Sequence, residues 1–289
     1  MTTPQTKTMQ ADAPEGKSTA PRVIAVSSGK GGVGKTFFSI HLAAYAAAQG
    51  KRVLLLDADV GLANVDVMLG ISGKGSIKQV VTGEASLKDM LVRAPQGFDV
   101  LPGGSGLSDM TALTTLQQQV LMDEMREAGS DYDLVLIDTA AGISDNVLFF
   151  VASAESALVV LTPDPTSLTD AYALIKVLSK QRDFRRFMVT INQADSFDAQ
   201  LTFRRLMSVS DRYLDVNLDY VGHVSPHKSV REAIQQQQLL PDGAARHELE
   251  VILKAVLERP RDEARSSGLQ FFWEHSLGQG LTEDMAMGS

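Results

Sequence analysis

Gly29 to Thr36 reads "GKGGVGKT", a glycine-rich stretch with two lysines that lies between an apolar run and a helical pattern. The spacing GxxxxGK[ST] in that context is the spacing of a phosphate-binding loop. Glycines let successive backbone N–H groups turn inward on phosphate oxygens. Lys35 then reaches the β and γ phosphates, Thr36 offers a hydroxyl to Mg²⁺, and the helix that follows adds the positive end of its dipole. The nucleotide-contacting stretch is therefore Gly29, Lys30, Gly31, Gly32, Val33, Gly34, Lys35, Thr36 and Phe37. Lys30 needs a separate reason, because one lysine is enough to hold the phosphates. Standing at the mouth of the loop, its long side chain can point outward at a nucleotide held by a second molecule; the plainer alternative is a surface lysine with no such role.

A site of this kind also needs a carboxylate for the Mg²⁺ shell, delivered from the end of a buried strand. Asp138, in "LVLIDTAAG", follows four apolar residues and meets that need; a cap after the strand is the competing reading. The segment "DADVGLANVD" brings Asp57, Asp59 and Asp66 toward the same edge, where open α/β sheets bind ligands. A carboxylate there can orient an attacking water, with a solvated acidic loop as the alternative, above all for Asp66.

Elements able to hold these groups recur along the chain. Runs at 22–26, 52–57, 98–103, 133–138, 156–162, 186–192 and 219–225 are apolar throughout instead of alternating. Strands buried on both faces read this way, which predicts a doubly wound α/β fold with a mostly parallel sheet. Helical patterns at Phe37 to Gln49, Leu116 to Ala128, Leu168 to Lys180 and Arg231 to Gln238 supply crossovers, and the four glutamines at 235–238 read as the solvated side of the last of these.

The chain has 289 residues, 44% of them apolar, a net charge of −8 and no cysteine. Disulfides, thiolate metal sites and iron–sulfur clusters are excluded, and the acidic balance counts against broad affinity for nucleic acid. Residues 1–21 are polar, with no apolar core of a signal peptide, and read as a disordered arm. The domain carrying the phosphate-binding loop then spans 22–258, a polar linker 259–267, and an amphipathic segment 268–289. In that segment Leu269, Phe272, Trp273 and Leu277 form one stripe, with Phe271 beside it and Arg259, Arg261 and Arg265 just before it. Aromatic residues at the headgroup boundary with arginines on anionic lipid is the pattern of an interfacial helix. Gly268, Gly278 and Gly280 shorten it, and Glu283 and Asp284 have the wrong sign for lipid, so a helix docked on the domain stays open as the alternative. Basic clusters in "RDFRRF" and at Arg204 and Arg205 read as solvated faces or a partner surface.

"GKGGVGKT", "LLLDADVGLANVDVMLG", "DLVLIDTAAGIS" and "PDPTSLTDAYALIK" together resemble the deviant Walker A family of MinD and ParA ATPases, and within it the flagellar FlhG (FleN) branch. The resemblance runs from about residue 22 to 258. It implies a P-loop NTPase that binds ATP and Mg²⁺, dimerises around the nucleotide, and hydrolyses it slowly. By resemblance Lys30 is the signature lysine reaching the partner's phosphates, Asp59 positions water, Asp57 lies near the metal beside Asp138, Asn192 reads adenine, and Pro226 flanks the base. The implied partners are a flagellar transcription activator, the SRP-like GTPase FlhF, flagellar base components and anionic membrane lipid, with no direct DNA contact. The implied location is the cytoplasmic face of the membrane at the cell pole. Residues 9–18, "MQADAPEGKS", do not reproduce the DQAxxLR element with which many FlhG relatives stimulate FlhF. A ParA-like ATPase that positions or segregates DNA, a metabolic P-loop enzyme, and a binding module that never hydrolyses ATP are the rival readings.

Overall fold

The computed structural model describes residues 20–59, 64–72, 75–104 and 112–261. In chain order the strands are β1 (Arg22–Ser28), β2 (Val53–Ala58), β3 (Val92–Arg93), β4 (Asp99–Leu101), β5 (Leu134–Ala141), β6 (Ser156–Leu161), β7 (Arg186–Asn192) and β8 (Asn217–Val224). They form one sheet in the order β3-β4-β2-β5-β1-β6-β7-β8, parallel throughout except for the two-residue β3. The helices are α1 (Lys35–Ala48), α2 (Val65–Leu69), α3 (Ile77–Val81), α4 (Leu87–Met90), α5 (Thr115–Gly129), α6 (Asp145–Ala152), α7 (Pro165–Arg182), α8 (Ser196–Tyr213), α9 (Lys228–Gln235) and α10 (Ala244–Glu258).

Each of the seven apolar runs lies on a strand, and the pattern has a direct physical reading. In β1, Val23 and Ala25 face the layer containing α3, α5, α6, α7 and α8, while Ile24 and Val26 face the layer of α1, α2, α9 and α10. Both faces are dry, so both alternating sets must be apolar. β8 departs from this: as the edge strand it is only half-buried, and its run carries Asp219, Tyr220 and His223. β3 has no sequence signal, since two residues pairing antiparallel with β4 are too few to show a period.

Two expectations are corrected. Helix α9 begins three residues earlier than expected and ends at Gln235, with Gln236 as its cap and Gln237 in the left-handed region at φ 54°. The glutamine tract thus ends the helix instead of forming its solvated side, and the Gln237 amide donates to the Val67 carbonyl at 2.7 Å. The start of the linker is also fastened down. Arg259 pairs with Asp219 at 2.9 Å, and Arg261 pairs with the buried Glu155 at 2.9 Å while donating to the carbonyls of Ala20 and Pro21. Two of the three arginines expected to meet lipid are therefore engaged within the domain. Arg265, the stripe residues Leu269, Phe271, Phe272, Trp273 and Leu277, and arm residues 1–19 lie outside the described residues. Among the described residues no helix is long and apolar enough to cross a membrane.

His41, in α1, fixes how α1 meets the segment before α10. Its Nδ1 donates to the Phe37 carbonyl at 2.8 Å and its Nε2 accepts the Leu240 N–H at 3.0 Å, which requires the neutral ring. Burial pushes its pKa down to about 4. A depressed folded-state pKa means that the unfolded chain takes up the proton first as pH falls. The stability contributed by neutral His41 is thus complete above about pH 6.5 and is lost toward pH 4, by about 3 kcal/mol. Denaturant titrations across this range should show that slope in the native chain and its disappearance in His41→Gln.

Candidate nucleotide-binding site

β1 lies at the centre of the sheet, between β5 and β6, and the loop that follows it sits where the strand order reverses. That is the crevice in which doubly wound sheets hold ligands. Gly29 packs so closely against α7 that a Cβ would come within 2.1 Å of the Asp170 carbonyl carbon. At the other end Gly34, at φ 104°, is the N-cap of α1 with no side-chain capping bond. The first-turn N–H groups of α1 are thus left to the loop's own concavity, a cradle suited to an anion. Alanine at Gly34 would hold a disfavoured φ at a cost of about 1–3 kcal/mol and drive its Cβ to 2.5 Å from the Asn192 amide nitrogen. Gly34→Ala is expected to lower the thermal midpoint and to weaken ATP binding at least about tenfold, as read by calorimetry.

Lys35 and Thr36 open α1. The Lys35 ammonium is nearly buried and donates to Ser28 Oγ at 3.0 Å, and that hydroxyl donates to the Lys30 carbonyl at 2.6 Å. Burial lowers the Lys35 pKa, while the charges of Asp138 and Asp59 act to raise it. Ser39, one turn on, donates to Asp138 Oδ1 at 2.9 Å, and Thr36 bonds to the same carboxylate. Asp138 on β5 stands in register with Asp57 on β2. Both are almost fully buried and both have raised pKa values, first through burial; for Asp57 the neighbouring Asp138 adds to this. Two carboxylates side by side in a dry site favour added positive charge, and a hydroxyl beside one of them is the donor set Mg²⁺ takes from a protein that leaves its remaining positions to phosphate and water. The residues present fit the metal.

Asp57 has a second role. Its carboxylate accepts the N–H groups of Asp59, Asn64 and Val65 at 3.1, 3.1 and 3.2 Å, which pins both ends of the segment carrying Asp59. Asp59 is half-buried and close enough to Lys35 and Asp138 to affect their ionisation. Asp66 belongs elsewhere: it lies in the first turn of α2 and accepts the Val67 N–H.

Lys30 is held within its own chain. Its ammonium donates to Asp164 Oδ1 at 2.9 Å and to Thr166 Oγ1 at 2.7 Å, with both ion-pair side chains about 40% exposed (42% and 44%). Asp164 is the N-cap of α7 and accepts the Ser167 N–H; bonds from the Thr162 and Thr166 hydroxyls and from Lys30 hold its carboxyl well below the usual range. Asn192, ending β7, donates to the Val33 carbonyl at 2.8 Å and accepts the Gln193 N–H at 2.9 Å, so it ties β7 to the loop. Pro226 is exposed in the turn after β8. The Phe37 ring packs in the core against His41, which leaves only its main chain at this end. Gly31 and Gly32 are exposed on the loop, and Val33 is buried.

Sequence reasoning did not single out Ser28, Ser39, Asp164 or Thr166. The run "DPTS" does carry an N-cap signature, an aspartate before proline at the first helical position, but nothing local places it against Lys30, 134 residues away.

Residues 21–191 match a family model described as an AAA domain. The antiactivator FleN of Pseudomonas aeruginosa is 42% identical over 258 residues, which is 88% of this chain and 92% of that protein. The flagellum site-determining protein YlxH of Helicobacter pylori is 30% identical over 264 residues, 89% of this chain and 90% of the other. Among solved structures, the septum site-determining protein MinD complexed with Mg-ADP from Pyrococcus horikoshii superposes with a TM-score of 0.68 at 23% identity, covering 82% of this chain and 96% of that one. With that fold, and with relatives matched over nearly their full lengths, the chain belongs to the MinD/ParA family of P-loop ATPases, in its FleN/FlhG branch.

Proposed function

We propose that this ATPase is a dimerisation switch that controls flagellar number and placement. Two copies carrying ATP join face to face, the new surface engages partners, and slow hydrolysis separates them. The names of two relatives, an antiactivator and a flagellum site-determining protein, support the flagellar setting. The partners in this reading are a flagellar transcription activator, the GTPase FlhF and components of the flagellar base. The protein acts from the cytoplasm at the pole, peripherally on anionic lipid, and without contacting DNA.

The chain's own residues divide the chemistry. Loop N–H groups and Lys35 bind the β and γ phosphates and stabilise the charge that develops on them. Asp59 orients a water in line with the γ-phosphorus, so that a P–O bond forms on one side as the bond to ADP breaks on the other. Asn192 and Pro226 frame the adenine. Thr36 and Asp138, with Asp57 behind it, would hold Mg²⁺, which when bound would supply positive charge to neutralise the phosphates.

The observation that carries the switch is Lys30. It lies at the rim of a cradle that already has its lysine, in a half-exposed pair that can be exchanged for a partner's phosphates. The test is solution mass by light scattering for Asp59→Ala with Mg²⁺ and either ATP or ADP. A dimer in ATP and a monomer in ADP is the expected result. A monomer in ATP, with nucleotide shown to be bound, would overturn the switch.

A further inference from the structure

Glu248 lies on α10, outside the loop and the strand-end carboxylates, and its side chain makes three contacts with one short turn. Its Oε2 accepts the Ser225 N–H at 2.7 Å, its Oε1 accepts the Ser225 hydroxyl at 2.9 Å, and His227 Nε2 lies 3.2 Å from Oε2. The residue between the two it holds is Pro226. One half-buried carboxylate thus staples both sides of an exposed proline.

That turn faces the nucleotide end of the sheet. It leaves β8 at Val224, the register partner of Asn192, and the Ala194 N–H donates to the Val224 carbonyl at 3.1 Å. Asn192 in turn bonds the phosphate loop at Val33. A planar ligand reaching outward from the loop over the end of β7 therefore meets Asn192 on one side and the Ser225 to His227 turn on the other. A turn with a single-proline tip has no ladder of its own beyond Val224, so its position depends on what grips its flanks.

We propose that Glu248 is a positioning residue for nucleotide selection: it fixes the turn that closes on the base, and thereby sets the preference for an adenine nucleotide. This rests on the reading of Asn192 and Pro226 as the base site. The carboxylate touches no nucleotide atom in this role. It acts through Ser225 and His227, and so contributes to the base and not to the phosphates.

Calorimetric titration of the full-length protein with Mg-ATP, Mg-GTP and inorganic tripolyphosphate, for the native chain, Glu248→Ala and Glu248→Gln, separates these contributions. The native chain should prefer ATP to GTP. Glu248→Ala should weaken ATP about tenfold, the loss expected when bonds to a charged acceptor go, with tripolyphosphate unchanged and the ATP-to-GTP preference reduced. Glu248→Gln, which keeps an acceptor for Ser225, should recover most of it. If ATP and tripolyphosphate weaken in parallel, or if the ATP-to-GTP ratio stays at its native value in Glu248→Ala, the role of Glu248 is overturned. If the native chain itself binds ATP, GTP and tripolyphosphate alike, the base site falls and the proposal with it.

Discussion

Lys35→Ala is expected to weaken ATP binding at least about 100-fold and to bring phosphate release to background, the scale on which removing one preorganised charge-stabilising donor acts. The ammonium sits nearly dry against Ser28 at 3.0 Å, and its charge is kept by Asp138 and Asp59 against the pull of burial. Among the described residues no other cation is placed to replace it, since Lys30, the second lysine of the loop, is turned to Asp164. Arginine should not restore activity. Its planar fork needs room that the contact with Ser28 does not leave, and its donors diverge where Lys35 offers a point charge. Removing the ammonium also takes positive charge from beside Asp138, so the Asp138 pKa should rise further in the variant. Titration with a fluorescent ATP analogue and a phosphate-release assay measure the two losses. Binding within tenfold of native would show that the loop N–H groups hold the phosphates alone and would remove Lys35 from the chemistry.

The parts of this site that can be read in the sequence are those fixed by short-range rules. The loop is legible because its glycines, lysine and threonine are consecutive and the strand before it is apolar without a break. Asp138 is legible because it ends a strand buried on both faces, and the structure sets it in register with Asp57, which the sequence placed only on the same edge. What escaped has long-range causes. Lys30 meets Asp164 and Thr166 because β1 and β6 are neighbours in the sheet, and that adjacency is a fact of topology. Glu248 grips the turn around Pro226 from a helix two elements later in the chain. The same limit applies to the fold: β3 is too short to carry a period, and α9 ends earlier than expected because its glutamine tract is helix-compatible in composition yet turns left-handed at Gln237. Arg259 and Arg261 look like a basic lead-in to an amphipathic segment, and only the packed domain shows that Asp219 and Glu155 claim them.

Lys30→Ala, placed in the Asp59→Ala background, is expected to abolish the ATP-dependent dimer while leaving ATP affinity of the monomer within about threefold, since Lys30 lies outside the cradle that holds the phosphates. The partner it now holds supplies the counter-experiment. In the proposed switch Asp164 would compete for the ammonium that the dimer would draw on, so removing its charge should favour association. Asp164→Ala confounds this by also deleting the α7 cap, worth about 1 kcal/mol, whereas Asp164→Ser retains a capping oxygen. A half-exposed ion pair contributes at most about 1 kcal/mol, a factor of about five in an equilibrium constant. Two such pairs are released per dimer, so Asp164→Ser should tighten ATP-dependent association by up to about 25-fold, read as the dimer dissociation constant by sedimentation. Adding Lys30→Ala to Asp164→Ser should leave no ATP-dependent dimer, because the serine acts only by releasing the lysine. An Asp164→Ser dimer no tighter than native would show that Lys30 leaves its own chain at no cost, and that the pair seen in the single chain has no hold on assembly.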